Sequence, residues 1–342
     1  MVSYLKRNMR IAIHKREGSF SDGWIEYCDK NRIQYRLVNA YDTNIISQIK
    51  DCDAFMWHFN PLIYMDQVFA KQLLFSLQMS GMRVFPDFNT CWHFDDKVGQ
   101  KYLFESIGAP FVPSHVYFSK SEALDWVARV ELPIVYKLRV GAGSSNVELI
   151  RSKSRAKRLV KKSFGKGLRQ YSYFTNVKEG WRRYKLNSLS LKGLIYKFLL
   201  LLVPPTDSFF LQRERGYFYA QNFITDNDYD IRLIVIGGDK AYGMKRRVRK
   251  NDFRASGSSD FIYDDIPARI LEIGFDIAQR LKLQSVAFDV IQDNGEPFII
   301  EMSCFFGTKG SNNCPGYWDR NYNWHPTTVN PCGWIVEDLL KH

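Results

Sequence analysis

The sequence predicts an α/β (α+β) fold, with an N-terminal parallel sheet and a strand-rich C-terminal half. Through residue 87, short apolar runs alternate with helical patterns, which is typical of βαβ units. From residue 209 onward, strand patterns follow one another and include a hairpin with a turn at Asp293–Gly295. The length of 342 residues allows two or three subdomains.

The N-terminal elements are predicted from the order of the apolar runs. The predicted strands are 9–14, 35–40, 53–59 and 83–87, and the predicted helices are 22–30, 43–50 and 65–80. Parallel sheets of this kind bind ligands at the carboxyl ends of their strands. Trp57, His58 and Asn60 follow the third strand, and the pattern leaves open whether they face a substrate or only pack within the loop.

The later elements are predicted from helix caps, turns and apolar runs. Asp95 caps a helix that we expect to end near Gly108. The other predicted helices are 123–130, 154–164 and 267–281, and the other predicted strands are 133–140, 146–150, 209–214, 217–224, 229–238, 240–248 and the two within 285–303. The chain thus divides into an N-terminal α/β domain (1–94), a central subdomain with a glycine-rich loop (95–165), a basic, leucine-rich insertion (166–208) and a C-terminal subdomain with a carboxylate hairpin and an aromatic tail (209–342).

The charge and the cysteines narrow the class of protein. A net charge of +12 favours an anionic partner, such as a nucleotide, an anionic lipid or an acidic sugar. No RRM, zinc-finger or helix-turn-helix pattern occurs, so we do not expect a nucleic-acid partner. The six cysteines show no CxxC spacing and the N-terminal residues contain no apolar signal region, so a cytoplasmic protein with free thiols is the simplest interpretation.

The insertion at 166–208 combines basic residues with the apolar run KFLLLLV. The run is far too short to cross a bilayer, which needs ~20 apolar residues. A basic segment with a leucine-rich end suits an anionic membrane surface, which would place the protein at the inner face of the membrane. A helical insertion that packs on its own domain is the alternative, and the sequence leaves both open.

The hairpin at 285–303 contains two carboxylates in apolar surroundings. Asp289 lies in VAFDVI and Glu301 lies in FIIEMS, and burying either is costly unless it is paired or bound to a cation. Carboxylates on adjacent antiparallel strands can converge on one face, where they would hold Mg²⁺ bridging nucleotide phosphates. Ser303 lies two positions after Glu301, so we expect it on the same face. The alternative is a buried ion pair with a nearby arginine.

A strand lysine precedes a glycine-rich loop in the central subdomain. Lys137 lies within IVYKLRV, and the loop Gly141-Ala142-Gly143-Ser144-Ser145 follows it. Such a loop can cradle phosphate oxygens with backbone amides while the ammonium neutralises charge, although an ordinary hairpin turn has the same composition. No GxxxxGK[ST] and no HRD or DFG set occurs, which excludes a P-loop NTPase and a protein kinase.

The order of these motifs resembles the ATP-grasp superfamily, specifically RimK-type glutamate ligases and glutathione synthetase-like enzymes. A lysine after a helix cap, a strand lysine with a glycine loop, a QNFI strand, a DIR strand, an arginine-rich strand and a D…E.S hairpin occur in sequence. The resemblance runs from about Phe85 to Ser303, and the N-terminal α/β segment resembles the pre-ATP-grasp domain of these enzymes. The resemblance implies the ATP-grasp fold.

The resemblance also implies roles for individual residues. The residues that match ATP-contacting positions are Lys97, Lys137, Gly141, Gly143, Ser144, Ser145, Gln221, Asn222, Phe223, Ile224 and Asp230. The residues that match catalytic-site arginines are Arg232, Arg246 and Arg254. The residues that match magnesium ligands are Asp289, Glu301 and Ser303. The family usually has Glu at the position of Asn222 and Asn at the position of Ser303.

The function that the resemblance implies is an ATP- and magnesium-dependent ligation of a carboxylate to an amine. The carboxylate would be activated as an acylphosphate, without a covalent enzyme nucleophile, so we interpret Cys304 as a packing residue. The basic surface favours an acidic substrate, and a uronic acid of a cell-surface polysaccharide would fit. The aromatic tail, with Trp318, Tyr322 and Trp324, would suit a sugar or a peptide or would only close the site. An ATP-grasp kinase and a non-catalytic nucleotide-binding protein are the alternatives.

Overall fold

The N-terminal region is a four-stranded parallel sheet with helices packed against it. The computed structural model describes residues 9–141, 146–170, 177, 180–181, 184–185, 190–202, 213–249, 252–257 and 260–341. The strands of the first sheet are β1 (Arg10–His14), β2 (Gln34–Val38), β3 (Ala54–Trp57) and β4 (Arg83–Phe85), in the order β2-β1-β3-β4. The helices of this region are α1 (Phe20–Asn31), α2 (Ile45–Ile49), α3 (Tyr64–Met79) and α4 (Phe88–Cys91). The predicted N-terminal parallel sheet is confirmed.

The two inner strands of this sheet are almost entirely buried. Every residue of β3 is buried, and in β1 only Arg10 is partly exposed. Parallel strands covered by helices on both faces have such continuous apolar runs, which is why the pattern could be recognised in the sequence.

The central sheet is formed by three strands close in sequence and one that comes much later. Its elements are α5 (Lys97–Ser106), β5 (Ser114–Tyr117), α6 (Lys120–Arg129), β6 (Ile134–Lys137), β7 (Val147–Ile150) and α7 (Lys153–Ser163), with β8 (Leu168–Arg169) and β9 (Arg213–Glu214) as a separate small sheet. The later strand is β10 (Phe218–Asn222), and the order is β5-β10-β6-β7.

Strand β10 joins the central sheet across one predicted domain boundary. The sequence assigned 209–342 to the C-terminal subdomain, but 218–222 lies between β5 and β6 and pairs with both in antiparallel register. Strands β5 and β6 have no pairing with each other, so the central sheet depends on this distant strand. The central sheet therefore contains residues from both sides of the predicted boundary at 209.

The C-terminal sheet is mostly antiparallel and is built from hairpins. Its elements are β11 (Tyr229–Ile236), β12 (Lys240–Arg247), β13 (Phe261–Ile262), α9 (Ala268–Arg280), β14 (Ser285–Asp293), β15 (Glu296–Ser303), β16 (Tyr317–Asp319) and β17 (Trp324–His325). The order is β15-β14-β11-β12-β16-β17, with β13 on β12. Asn294 and Gly295 both have positive φ, as a two-residue hairpin turn requires, so the predicted hairpin is confirmed.

The last elements return to the N-terminal core. A 3₁₀ helix (Thr308–Asn313) precedes β16, and α10 (Pro331–Lys341) packs against α1. The insertion contributes α8 (Leu191–Leu202) within the described residues. Among all the residues that the structure describes, no helix has the length and apolar character needed to cross a bilayer.

Helix α5 attaches the central segment to the C-terminal sheet. Phe104 is fully buried in the core that includes Phe288 and Met302, and its ring stacks on Phe111 with centroids 4.9 Å apart. Gln100 donates to the Met302 carbonyl and accepts from the Met302 amide at 2.8 and 3.0 Å. The start of α5, which carries Lys97, is therefore fixed relative to β15.

We expect Phe104→Ala to lower the free energy of unfolding by about 3–5 kcal/mol, because it leaves a cavity in this core. The matched control is Tyr102→Ala on the same helix, where the side chain is 48% exposed. This control should change stability by no more than about 0.5 kcal/mol. Urea denaturation followed by circular dichroism measures both, and equal effects would contradict the described packing of α5.

Candidate functional site

A cavity lies between the central sheet and the C-terminal sheet. It has a volume of about 320 Å³. The predicted site residues that line it are Lys97, Lys137, Gly141, Gln221, Asn222, Phe223, Ile224, Asp230, Arg254, Asp289 and Glu301. Residues from five separate stretches of the chain therefore meet at one cavity, as the order of motifs in the sequence predicts.

Two buried lysines form the cationic side of the cavity. The Lys97 ammonium donates to the Gly141 carbonyl at 3.2 Å and lies 3.9 Å from the Glu301 carboxylate. The Lys137 ammonium donates to the Gln221 side-chain carbonyl at 2.6 Å. Burial lowers the pKa of Lys137 to about 8, although the Glu301 charge opposes the shift. The negative charge of an anionic ligand in the cavity would offset the cost of burying the charged Lys137 ammonium.

Asp95 is a site residue that sequence reasoning treated only as a helix cap. Its carboxylate accepts the Gly141 amide at 2.9 and 3.0 Å and lies 3.8 Å from the Lys97 ammonium. Gly141 has φ +131°, which an L side chain rarely adopts, so glycine suits this position. Asp95 thus holds the start of the glycine-rich loop. The predicted residues Gly143, Ser144 and Ser145 lie outside the described residues.

The two hairpin carboxylates are cross-strand partners. Asp289 on β14 lies directly opposite Glu301 on β15, so both side chains point to the same face of the sheet and reach the cavity. Glu301 is half-exposed toward the cavity, whereas Asp289 is buried. Carboxylate oxygens are the ligands that Mg²⁺ prefers, and Mg²⁺ completes its shell with water and phosphate oxygens. The donor set therefore fits a magnesium ion.

Asp289 is also the centre of a buried charge cluster. Arg232 donates to both of its carboxylate oxygens at 2.8 and 2.9 Å, and Arg246 donates to one of them at 2.9 Å. Arg246 also forms a bidentate salt bridge with Asp230. Burial opposes ionisation of Asp289, but the two guanidinium groups outweigh it and hold its pKa well below its usual range.

Both interpretations of the hairpin therefore apply to Asp289. The alternative expectation, a buried ion pair with a nearby arginine, describes its present contacts, while its position beside Glu301 is what a metal ligand requires. Arg232 and Arg246 do not line the cavity and reach it only through Asp289 and Asp230. Their described role is to orient and neutralise these carboxylates.

Ser303 differs from its expected position in the magnesium set. Its hydroxyl donates to the Phe305 carbonyl, and Ser303 is not among the residues that line the cavity. Within the described ranges, no group of three or more His, Cys, Asp or Glu side chains is suited to a metal ion. Of the three predicted magnesium ligands, Asp289 and Glu301 line the cavity. Cys304 is fully buried, and burial raises its pKa well above the ordinary range, as expected of a packing residue.

The opposite wall of the cavity is largely apolar. Strand β10 ends at Asn222, whose amide donates to the Pro113 carbonyl, so Phe223 and Ile224 follow the strand rather than extend it as predicted. The Phe223 ring meets Phe253 edge to face, with centroids 6.0 Å apart. Beside it, Arg254 is paired with Asp252 at 2.7 Å. A flat apolar ligand would fit between these walls.

Sequence reasoning missed several lining residues, some of which follow a simple rule. Val135 lies two positions before Lys137, and Ile291 lies two positions after Asp289. Alternation along each strand places them on the same face as the charged residue, so they could have been found. Val112 and Phe253 lie outside regular strands, and no local pattern marks them.

The other candidate residues lie away from this cavity. Trp57 is fully buried in the N-terminal core, and the His58 ring stacks on Phe305 with centroids 4.1 Å apart. Both side chains therefore pack against other side chains, in agreement with the packing alternative. The Asn60 side chain accepts the Leu62 amide within its own loop.

The three tail aromatics also lie elsewhere. Trp318 packs on Trp324, and Tyr322 meets Phe275 of α9. Strand β16 pairs with Lys240 and Ala241, at the opposite end of β12 from Arg246. None of the three lines the described cavity.

A second, smaller cavity lies on the other side of the contact between Asp95 and Gly141. Its volume is about 140 Å³, and it lies between the N-terminal domain and the central subdomain. The charged residues in its lining are Asp66, Lys71, Asp95, Asp96 and Arg139. Because Asp95 also binds Gly141, the two cavities are adjacent at the start of the glycine-rich loop.

Comparison with known proteins agrees with this architecture. A family model described as a RimK-like ATP-grasp domain matches residues 213–316. A RimK domain protein from Sphaerobacter thermophilus has a similar structure, with TM-score 0.59, 13% identity and coverage of 96% of this chain and 98% of that chain. D-alanine–D-alanine ligase from Bacillus anthracis, complexed with ATP, gives TM-score 0.55, 13% identity and coverage of 97% and 96%.

A third similar structure holds several ligands. The ATP-grasp ligase PsnB, complexed with minimal precursor, Mg and ADP, gives TM-score 0.57 and 11% identity, with coverage of 100% of this chain and 98% of that chain. No curated protein matches the chain in a sequence search. The chain thus has the ATP-grasp fold, and the predicted resemblance and fold class are confirmed.

We expect Asp289→Asn to lower the free energy of unfolding by about 3–5 kcal/mol, because it leaves buried guanidinium charge without its partner. Asp293→Asn, on the same strand but exposed, is the matched control and should cost no more than about 0.5 kcal/mol. A double variant, Asp289→Asn with Arg232→Met, should recover part of the loss. Urea denaturation at neutral pH measures all three.

The pH dependence of the free energy of unfolding should also come from the ion pairs of Asp289. Since the folded pKa of Asp289 lies below its unfolded value, its contribution is full above the unfolded pKa of about 3.9 and is lost as pH falls below it. Asp289→Asn should therefore flatten the acid limb of the stability curve. An unchanged acid limb would contradict the described ion pairs.

Proposed function

We propose that the protein is an ADP-forming ligase that activates a carboxylate with ATP and joins it to an amine. The observation that carries the proposal is the pairing of two buried lysines with two opposed carboxylates across one cavity, whose far end is apolar. This is the arrangement that a nucleotide requires, with its phosphates at the charged end and its base between apolar walls. The ATP-grasp fold and the ATP, ADP and Mg in structures that share it agree with this proposal.

Each end of the cavity would hold a different part of ATP. Lys97 and Lys137 would neutralise phosphate oxygens, and the loop that starts at Gly141 would cover them. The peptide groups after β10, together with Phe223 and Phe253, would hold the adenine ring. Asp289 and Glu301 would bind Mg²⁺, which supplies charge neutralisation at the phosphates when bound.

The reaction would proceed by two displacements. An oxygen of the substrate carboxylate attacks the γ-phosphorus, and ADP leaves. The amine then attacks the acyl carbon, phosphate leaves with the oxygen that came from the carboxylate, and the amine loses a proton. Arg254 lines the cavity beside Phe253, so it would stabilise charge on the transferring phosphoryl group only after leaving its pair with Asp252, while Arg232 and Arg246 would position Asp289 and Asp230.

The second cavity is our candidate for the entry of the carboxylate. It lies across the Asp95–Gly141 contact from the phosphate end of the first cavity, and its lining offers two cations, Lys71 and Arg139, among three aspartates. We propose a uronic acid of a cell-surface polysaccharide as the carboxylate substrate, because Lys71 and Arg139 in the lining of the second cavity could contact its carboxylate.

ATP affinity should depend on the protonation of Lys137. Because its pKa in the free protein is about 8, binding at higher pH must take up a proton, so the ATP dissociation constant should rise about tenfold per pH unit above that value. Lys137→Arg should abolish this dependence, since a guanidinium stays charged. Calorimetry with Mg–ATP between pH 7 and 9.5 tests it, with the exposed Lys120→Arg as the control. A flat wild-type profile would contradict a buried, phosphate-facing Lys137.

Turnover should separate a ligase from a kinase. With a suitable carboxylate, ATP and Mg²⁺, added hydroxylamine should trap the acylphosphate as a hydroxamate, and Glu301→Gln should lower ADP release at least about a hundredfold. Asp293→Asn should leave it unchanged. A stable phosphorylated product without hydroxamate would favour the kinase, and ATP binding without any turnover would favour a non-catalytic protein.

The polysaccharide proposal has its own test. Purified protein is incubated with ATP, amino acids and either uronic-acid nucleotides or lipid-linked acidic glycans, and released phosphate is measured. Stimulation by these acids and not by the matching neutral sugars would support the proposal. No release with any of them, alongside release with a different carboxylate, would overturn the substrate and leave the ligase intact.

A further inference from the structure

Helix α8, in the insertion, presents apolar side chains to solvent. The exposed fractions of the largest are 55% for Leu191, 50% for Ile195, 44% for Phe198 and 52% for Leu199. Spacings of four, three and one residues place all four on one side of a helix. We call these four residues the apolar stripe. Tyr196, 62% exposed, borders it.

A neighbouring side of α8 packs against the chain around Gly180. Leu194 is 3% exposed, and a Cβ at Gly180 would lie 3.6 Å from Leu194 Cδ1 and 2.3 Å from Lys197 Cδ. A surface helix of a globular protein normally buries its apolar side and exposes its polar side. Here α8 is already docked on one side, and the side left in solvent is apolar.

The residues near the stripe are those found where protein meets a lipid headgroup region. Trp181 is 48% exposed, and the Lys185 ammonium lies 5.7 Å from the centre of its ring. Trp and Tyr have an apolar body and a polar tip, and lysine keeps its charge in water while its stem lies along apolar surface. Lys192 is exposed on α8 itself.

The positive charge of the chain is concentrated in the same part of the sequence. Residues 151–208 contain 15 of the 48 Lys and Arg but only two of the 36 Asp and Glu. The remaining 33 basic and 34 acidic residues nearly cancel, so this segment accounts for the whole net charge of +12. The exposed basic residues of α7 and its continuation are Lys157, Arg158, Lys161, Lys162, Lys166 and Arg169, and none has an ion-pair partner within the described ranges.

These features together distinguish among possible occupants of the surface. A second copy of the chain would bring two strongly positive segments together, which is unfavourable. A nucleic acid would use the charge but would leave the apolar stripe in water. An anionic lipid surface uses both, since it attracts the basic residues and accepts apolar side chains below the headgroups.

We propose that α8 lies flat on an anionic phospholipid membrane, with the apolar stripe inserted below the headgroups and the exposed basic residues of α7 and its continuation facing the headgroups. Twelve helical residues are about 18 Å long, which is too short for a hydrocarbon core of about 30 Å, so the helix lies in the plane rather than across it. The site for ATP is on other elements, so this proposal stands apart from the ligase chemistry.

The test is flotation of the purified full chain, without ATP, with vesicles of phosphatidylcholine alone or mixed with phosphatidylglycerol. The wild-type protein should float with the mixed vesicles and not with phosphatidylcholine alone, and raised salt should weaken binding. The double variant Ile195→Asp/Phe198→Asp should bind the mixed vesicles at least about tenfold more weakly. Phe118→Asp, at a position 62% exposed on the central subdomain, is the matched control and should bind like wild type.

Two further measurements keep the result interpretable. The double variant should match the wild-type melting temperature and ATP affinity, which shows that it is folded. Quenching of tryptophan fluorescence by brominated lipid should fall in Trp181→Phe. Equal flotation with both vesicle types, unchanged binding by the double variant, or a wild-type oligomer that the double variant dissociates would each overturn the proposal. Loss of ADP release with intact flotation would affect only the ligase proposal.

Discussion

A buried carboxylate held between two arginines is the interaction on which the rest of the candidate site depends. Asp289 is the register partner of Arg232 on β11 and of Glu301 on β15, and Asp230 is the register partner of Arg246 on β12. Directly opposed cross-strand side chains lie on the same face. A slip of one residue in any of these pairings would send its charge to the opposite face, so the cluster and the sheet register stabilise each other.

The charge cluster also neutralises one hairpin carboxylate and leaves the other open to the cavity. Arg232 and Arg246 offset the buried charge of Asp289, while the half-exposed Glu301 remains open to the cavity. On the facing side, Lys137 has a pKa lowered by burial and Lys97 lies near both Asp95 and Glu301. Lys137 is the exception among these cations, because within the described residues its ammonium donates to the neutral Gln221 side chain and pairs with no carboxylate. A phosphate oxygen would supply that missing counter-charge.

The sequence predicts most of the strands that form this site, because charged residues in apolar strand runs are rare enough to be noticed. Lys137, Asp289 and Glu301 were recognised in this way, and all three line the cavity. Backbone hydrogen bonds between distant strands carry no local sequence signature, so nothing in 218–222 indicates its pairing with β5 and β6 across the predicted boundary at 209. The link from Asp95 to Gly141 spans 46 residues and was equally invisible.

The roles of Arg232 and Arg246 illustrate the same limit. Their place in the motif order was recognisable, but their position behind Asp289 and Asp230 depends on the register of three strands. The exposed side of α8 is a different case. Its apolar run was plain in the sequence, whereas which side faces solvent depends on the contact with Gly180. Burial and pairing between distant segments are therefore what the structure adds.

The central claim is that a substrate carboxylate is activated by phosphorylation in the cavity between the two sheets. The most direct test uses a carboxylate that stimulates ADP release, labelled with ¹⁸O in both oxygens, together with ATP, Mg²⁺ and an amine. Mass spectrometry of the products should find one ¹⁸O in inorganic phosphate and one in the amide. Unlabelled phosphate, or label retained in a stable phosphorylated acid, would contradict the claim.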